Sequence, residues 1–443
     1  AQVDQLSVSL PNIRREKMMN SPPSPESLNS LISETDKHLA DIQRANHVIT
    51  HLFTEAILSP PQMHRAFSLL KQREILYGTL NLQRQHLASF LDPNAQPLPL
   101  FLCVVKDPFP YVYAHKQQVH PGQLEVAVLP PFGQLSDFQY GQMTAMMVAE
   151  ARQVMELEPH PLGDHVQDVE PVKGVATFPL TFNFGTRKEI AHIRFSLSVR
   201  VSPSSVVNVE SDHSQPFVVM TNQKQWENCS GTLLRKLVFD GKTEVPWPKL
   251  ANSLQQQFLL ATRQNMGEPV RGLSCYDMSY VCERFFKTGG NISLKEFERF
   301  WNWYGKCLQV LRFQRHISQL WQRGLFYGFM TREDVRAALS IQPPGAFIIR
   351  FSESHPGRFG VAYISTDTPP HLKHYLVKPT DTAAAKITLP DFLRDKPQFS
   401  HILQLRPDPS GRPHFELREK HVAFGFFYSN RDEGINEEGY DPL

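Results

Sequence analysis

One arginine lies inside a strongly apolar, strand-like run. Residues 345–351 read Gly-Ala-Phe-Ile-Ile-Arg-Phe, and a strand of this composition is expected at the centre of a sheet. A buried guanidinium is costly unless its donors are paired. A phosphate can pair with it, because phosphate oxygens match the planar fork of donors. Ser352, Glu353 and Ser354 follow directly, where a turn would offer hydroxyl and backbone N–H groups. Arg350 is therefore predicted to bind phosphate; the alternative is an internal ion pair with a nearby carboxylate.

Two further segments supply residues to such a site. Residues 331–334 read as a capping box, which places Arg332 in the first turn of a helix, within reach of an anion at the strand. His374 lies in a second strand-like run, where it can flank an aromatic phosphate ester. With a second helix expected at 389–403, this order of elements resembles the Src-homology-2 (SH2) family and implies a phosphotyrosine ligand. Leu376 stands where that family often has a lysine.

The C-terminal stretch 432–443 is acidic, punctuated by glycine, and unable to build a core. It carries one tyrosine, Tyr440, which by itself reads as an exposed residue. Beside a phosphotyrosine pocket, Tyr440 is predicted to be phosphorylated by a tyrosine kinase, gaining roughly −1.5 to −2 charges. Exchange of such tails between two chains would give a twofold homodimer.

The N-terminal part is predicted to be helical. Ser24 is an N-cap candidate with Pro25 after it, and apolar residues at alternating four- and three-residue steps predict a helix over 24–58. Thr35 and Asn46 interrupt this heptad seam. A second helix is predicted over 62–91. The pair reads as a coiled-coil hairpin or, equally, as two bundle helices with no binding role.

The period of the apolar residues changes to two between residues 98 and 239. Alternation is regular around residues 178–184 and 193–201, so each strand has one buried and one solvated face. This predicts an immunoglobulin-like β-sandwich or barrel, with no helix of useful length interrupting it. Residues 247–321 return to a helical, aromatic-rich pattern. Residues 289–298 faintly resemble an EF-hand setting but lack the carboxylates that calcium needs.

Bulk properties exclude several classes of protein. The 443 residues exceed one core and predict three or four domains. Five cysteines without paired spacing favour reduced thiols, and a net charge of +2 restricts any nucleic-acid contact to a local patch. No apolar run is long enough to insert into a membrane, and neither metal nor cofactor is expected. The chain begins without methionine, and we expect a fragment of a longer protein.

Nearly the whole chain resembles the STAT family. The resemblance is carried by Leu320-Trp321, Gly324, Gly328-Phe329, Pro343-Pro344-Gly345 and the Arg-Phe-Ser-Glu-Ser run, and in the β region by Phe182-Asn183, Gly185-Thr186 and residues 217–222. It implies a multidomain α+β chain with a coiled-coil domain at 1–95, an immunoglobulin-like DNA-binding domain at 96–242, a helical linker with EF-hand-like character at 243–322, an SH2 domain at 323–429 and a phosphotyrosine tail at 430–443.

The resemblance also implies roles for individual residues. The phosphotyrosine-binding set comprises Arg350, Arg332, Ser352, Glu353, Ser354 and His374. Tyr440 corresponds to the activating tyrosine. Asn222 falls where the family reads base edges, Arg187 and Lys188 where it carries a groove-facing lysine, and Lys224 adds another basic group. On the residues alone, a solvated loop is an equal alternative. The implied function is a cytoplasmic transcription factor that dimerises, enters the nucleus and binds an approximately palindromic DNA site.

Departures from the family matter as much as the matches. The helical part is shorter than in animal members, and the tail reads Gly-Tyr-Asp-Pro-Leu, which predicts a divergent, non-animal member of slime-mould type. The alternative function is a phosphotyrosine adaptor of Cbl-like layout without DNA binding. Such adaptors lack the long β region and the tail tyrosine. The sequence contains no glycine-rich phosphate loop, nucleophile elbow or zinc-protease helix, so we do not expect an enzyme.

Overall fold

The computed structural model describes residues 24–92, 94–108, 110–132, 138–150, 153–154, 161–186, 189–287, 290–378, 381, 387–406 and 414–429. The chain divides into two compact units, the first ending at Gly241 and the second beginning at Lys242. No helix in the described ranges is both long and apolar enough to span a bilayer.

The first unit begins with a helical hairpin, α1 (Pro25–Glu55) and α2 (Pro60–Ser89). Both helices were predicted, as was the N-cap Ser24, which accepts a hydrogen bond from the amide of Ser27. Contacts of Asp36 with Arg84 and of Gln43 with Tyr77 show that the helices run antiparallel. The buried seam contains Leu39, Ile42 and Leu80.

A β-rich body follows the hairpin and shares one hydrophobic core. The strands are β1 (Phe101–Lys106), β2 (Tyr111–Ala114), β3 (Glu125–Leu129), β4 (Gln139–Ala149), β5 (Gln153–Val154), β6 (Leu162–Gly163), β7 (Val166–Gln167), β8 (Val175–Thr177), β9 (Thr181–Phe182), β10 (Ala191–Ser202), β11 (Ser205–Glu210) and β12 (Phe217–Met220). The largest sheet has the order β2-β12-β10-β4-β5, with β11 paired to β10 and β7 paired to β4. Two smaller sheets have the orders β1-β3-β8 and β6-β9. Phe178, Phe182, Phe195 and Phe217 fill the core, so the predicted alternation is confirmed.

One prediction for this region was wrong. Helix α3 (Trp226–Phe239) lies inside the stretch expected to hold no long helix, and it packs against strands β2 and β12. Its buried residues recur at helical spacing and include Trp226, Cys229, Leu233 and Val238. The sequence analysis missed this helix because it is short and comes soon after a run of strands. In those strands the alternation of apolar and polar residues with a period of two dominates the pattern.

The second unit opens with a helical segment built around aromatic side chains. Its elements are β13 (Glu244–Pro246), α4 (Trp247–Ala261), α5 (Cys275–Phe286), β14 (Asn291–Ser293), α6 (Leu294–Phe313) and α7 (Ile317–Gln322). Strands β13 and β14 pair antiparallel. Ser274 and Ser293 cap α5 and α6 through capping boxes. Phe300, Trp303 and Trp321 are buried in this core. The described residues contain no cluster of side chains that could hold a metal ion.

The last part is a five-stranded sheet with helices. Its strands are β15 (Ala346–Phe351), β16 (Phe359–Ile364), β17 (Leu372–Leu376), β18 (His401–Arg406) and β19 (His414–Glu419). They lie in the order β17-β16-β15-β18-β19. The helices are α8 (Arg332–Leu339), α9 (Leu389–Arg394) and α10 (Lys420–Phe424). Every residue of β15 is buried. Ile348 packs in one cluster with Val335 and Leu339 of α8. Because side chains alternate along a strand, Arg350 lies on this same face.

The helix predicted at 389–403 ends early. It stops at Arg394, and residues from His401 onward form strand β18, which pairs parallel to β15. Pro397 explains the difference, because proline lacks the amide that a continuing helix needs.

Candidate phosphate-binding site

Arg350 is 5 % exposed at the end of the central strand. Its Nη1 donates to the carbonyl of Phe351 at 3.1 Å and lies 3.5 Å from Oε1 of Glu353. Within the described part of the chain these are the only hydrogen-bond partners of the Arg350 side chain, so Nε and Nη2 make no such contact. Burial lowers the pKa of Arg350, and the Glu353 carboxylate partly opposes that effect. The guanidinium keeps its charge and has donors left for a second, bidentate partner.

The loop after β15 is fixed by its own hydrogen bonds. The amide of Ser352 donates to the carbonyl of Arg358 at 2.7 Å, and the Ser352 hydroxyl accepts from the amide of His355 at 3.2 Å. The Ser354 hydroxyl lies 3.0 Å from Nδ1 of His355. The Ser352 amide is therefore engaged within the loop, and what the Ser352 side chain can still offer an anion is its hydroxyl proton.

Helix α8 and strand β17 bring two more predicted residues to this face. Thr331 caps α8, with its hydroxyl accepting from the amide of Asp334 at 3.0 Å, and Arg332 is the first helical residue. His374 lies on β17 opposite Ala362. Burial lowers the pKa of His374, and the charges of Arg350, Arg332 and Arg336 lower it further. Three arginines thus act on one neutral imidazole, which marks the site as electropositive.

Two residues that the sequence analysis did not identify contact the loop. Arg284 of α5 donates through Nη2 to the carbonyl of Glu353 at 3.0 Å, and its Nη1 lies 3.6 Å from Glu353 Oε2. Trp303 of α6 donates through Nε1 to the carbonyl of Ser352 at 3.0 Å. Both contacts join residues far apart in sequence, so no local pattern signals them. The loop that follows Arg350 is therefore held from outside its own sheet.

The predicted DNA-contacting residues belong to the first unit. Asn222 and Lys224 are exposed just after the fully buried strand β12. Thr186 is tied to this strand: its amide donates to the carbonyl of Val219 at 3.0 Å, and its hydroxyl accepts from the Val219 amide at 3.2 Å. Arg187 and Lys188 lie outside the described residues. Their neighbour Thr186 is nonetheless placed at the end of the strand that leads to Asn222.

Tyr440 also lies outside the described residues, but the point from which its segment departs is described. Ser429 donates to Asp391 twice, through its amide to Oδ1 at 2.8 Å and through its hydroxyl to Oδ2 at 2.6 Å. Asp391 also accepts from the Thr388 hydroxyl at 2.6 Å. Burial opposes the charge of Asp391, but the hydrogen bonds from Ser429 and Thr388 outweigh it and lower its pKa to about 2.

Three family models match the chain in order. They describe a STATa immunoglobulin-like domain at residues 100–220, an EF-hand fold domain at 222–314 and an SH2 domain at 325–405. The EF-hand match begins just before α3 and includes this helix, which alternation did not predict.

Two proteins of Dictyostelium discoideum are similar over most of the chain. Signal transducer and activator of transcription A is 42 % identical over 391 residues, which cover 87 % of this chain and 55 % of the relative. Signal transducer and activator of transcription B is 36 % identical over 456 aligned positions, which cover 94 % of this chain and 40 % of the relative. The chain thus spans about half the length of these relatives or less.

Proposed function

Because the chain belongs to the STAT family, we propose that it is a signal transducer and transcription factor that tyrosine phosphorylation activates. The observation that carries the proposal is Arg350, a buried arginine with unused donors beside Arg332 and His374. A phosphotyrosine supplies the dianion that this site needs and an aromatic ring for His374 to flank. Ser352, Glu353 and Ser354 complete the binding loop.

The proposed ligand is phosphorylated Tyr440 of a second copy of the chain. The segment from Ser429 to Tyr440 can extend roughly 35 Å, so its length alone does not forbid binding within the same chain. A short tail that must also rim its own pocket is more naturally bound by the pocket of a partner. Two such exchanges form a closed, twofold dimer in which each contact raises the effective concentration of the other. An upstream tyrosine kinase supplies the phosphate, and the dimer moves from cytoplasm to nucleus.

The immunoglobulin-like domain is the proposed DNA-binding part of that dimer. Asn222 can pair with base edges, and Lys224, Arg187 and Lys188 can contact phosphate or guanine. A twofold dimer matches an approximately palindromic site. The division into domains at 1–95, 96–242, 243–322, 323–429 and 430–443 is part of the same proposal.

A peptide-binding measurement tests the proposed pocket. Titration calorimetry compares a peptide of residues 432–443 with and without phosphate on Tyr440, on the wild-type chain and on Arg350→Ala. We expect the phosphopeptide to bind the wild type and to lose at least a hundredfold in affinity on Arg350→Ala, since about 3 kcal/mol is typical for breaking a buried charged pair. Equal binding of both peptides would contradict the proposal. Phosphopeptide binding without DNA binding would instead favour an adaptor.

A further inference from the structure

Arg284 contacts the phosphate-binding loop from a helix that precedes the SH2 match at 325–405. It lies on α5 and makes two contacts with one residue: a hydrogen bond to the carbonyl of Glu353 and a charge contact with the Glu353 carboxylate. The carboxylate therefore lies between two arginines, with Oε1 toward Arg350 and Oε2 toward Arg284. The two distances, 3.5 and 3.6 Å, are nearly equal.

A second residue of α5 faces the same place. Tyr280 precedes Arg284 by four residues, so both lie on one face of the helix. Tyr280 is 7 % exposed. Burial raises the pKa of its hydroxyl, and the charges of Arg284, Glu353 and Arg350 all act on it as well. This face of α5 therefore forms a wall beside the Arg350–Glu353 pair.

Glu353 creates an electrostatic problem for the proposed ligand. A phosphate that binds the guanidinium of Arg350 comes close to a carboxylate already within 3.5 Å of that group. Two anions sharing one cation repel each other, and the repulsion is strong where burial limits screening by water. The side chain of Glu353 is only 19 % exposed. Either the carboxylate is neutralised by another cation or it weakens the binding of phosphate.

We propose that Arg284 is a positioning residue of the phosphotyrosine site, which neutralises Glu353 and draws its carboxylate away from Arg350 when phosphate binds. This inference rests on the proposed function of Arg350. It makes the helical segment a part of the ligand site, because the pocket works fully only with α5 in place. Arg284 itself does not touch the phosphate; its effect passes through Glu353.

A double-mutant cycle tests this role with phenyl phosphate as the probe. Arg284→Gln is expected to weaken binding of phenyl phosphate about tenfold. Without Arg284, the Glu353 carboxylate pairs only with Arg350 and repels the phosphate there. Glu353→Gln in the Arg284→Gln background is expected to restore affinity to within about twofold of the wild type. Arg284→Lys should be intermediate. Arg299→Gln removes an exposed arginine from α6 and is the matched control; it should bind as the wild type does.

The outcomes separate the competing explanations. Unchanged binding by Arg284→Gln overturns the inference, and so does weak binding that Glu353→Gln fails to restore, which would make Arg284 a direct ligand or a purely structural residue. If thermal unfolding shows that Arg284→Gln does not fold, Arg284→Lys replaces it in the cycle: weakened binding that Glu353→Gln restores supports the inference, and binding that is unchanged or not restored overturns it. Loss of the proposed function itself has a different signature, namely binding by Arg350→Ala that equals that of the wild type.

Discussion

Gly328 and Arg350 pair across a parallel β-bridge. The carbonyl of Gly328 accepts from the amide of Phe351 at 2.8 Å, and the amide of Tyr327 donates to the carbonyl of Ile349 at 3.0 Å. The segment before α8 is thereby fastened to the end of β15 where the candidate site begins. Gly328 has a φ of +92°, and a Cβ on it would overlap the ring of Trp321. Only glycine allows this approach.

Gly328→Ala is therefore expected to destabilise the chain. Strain at positive φ costs about 1–3 kcal/mol, and overlap with the buried Trp321 ring adds about 1–3 kcal/mol. Chemical denaturation should show a loss of about 2–6 kcal/mol in the free energy of unfolding of the second unit. Gly425→Ala is the control, since nothing lies within 4 Å of its added Cβ, and its stability should be close to that of the wild type.

His374 should take up protons when phosphotyrosine binds. Burial and three neighbouring arginines lower its pKa, which favours the neutral imidazole at pH 7 before the ligand binds. A bound dianion favours the charged form and raises that pKa. The affinity of the wild type relative to His374→Asn should therefore rise as pH falls from 7 to 6. Calorimetry in two buffers of different ionisation enthalpy measures the proton uptake; equal uptake by the variant would exclude this role.

Asp391 makes the free energy of unfolding of the second unit depend on pH. Its pKa in the folded chain is about 2, below the value near 3.9 of an unfolded chain. Ionised Asp391 thus stabilises the fold above about pH 4, and the contribution disappears as pH falls toward 2. Asp391→Asn should cost about 2 kcal/mol at pH 7 and little near pH 2. Asp395→Asn, with a largely exposed side chain, should cost little at either pH. A constant deficit for Asp391→Asn would contradict the assignment.

The two exposed residues after β12 should affect DNA binding in different ways. Asn222→Ala should lower affinity for the cognate site by about 1–3 kcal/mol and relax the preference for one base pair. Lys224→Ala should weaken binding to all sequences alike and reduce the salt dependence by about one phosphate contact. Fluorescence anisotropy at several salt concentrations distinguishes the two. If both variants bind as the wild type does, this loop does not contact DNA.

Local patterns carried much of the fold. The seam of α1 and the alternation along β10 each repeat over several residues and reflect one buried face. The unbroken apolar run of β15 instead reflects burial of both faces of the strand. Helix α3 was missed because its 14 residues follow directly on strands. The helix predicted at 389–403 was too long because the apolar residues of strand β18, which follows Pro397, were assigned to it.

Local patterns predicted only some of the residues of the candidate site. Arg350 could be predicted because a charged side chain inside an apolar strand needs a partner for its donors. Arg332 and His374 could be predicted as site residues from the order of helices and strands around Arg350. Arg284 and Trp303 show no such signal. Their contacts with the loop span 69 and 49 residues, and they depend on how the helical segment packs against the sheet within the second unit. Only tertiary structure places these residues beside Glu353 and Ser352.

We propose that phosphate on Tyr440 joins two chains through Arg350. Light scattering of the chain, unphosphorylated and stoichiometrically phosphorylated on Tyr440, measures this association, with Arg350→Ala measured in parallel. The molar mass should double on phosphorylation of the wild type and stay unchanged for the phosphorylated variant. A wild-type mass that does not respond to phosphate, or a variant that dimerises equally well, would contradict it.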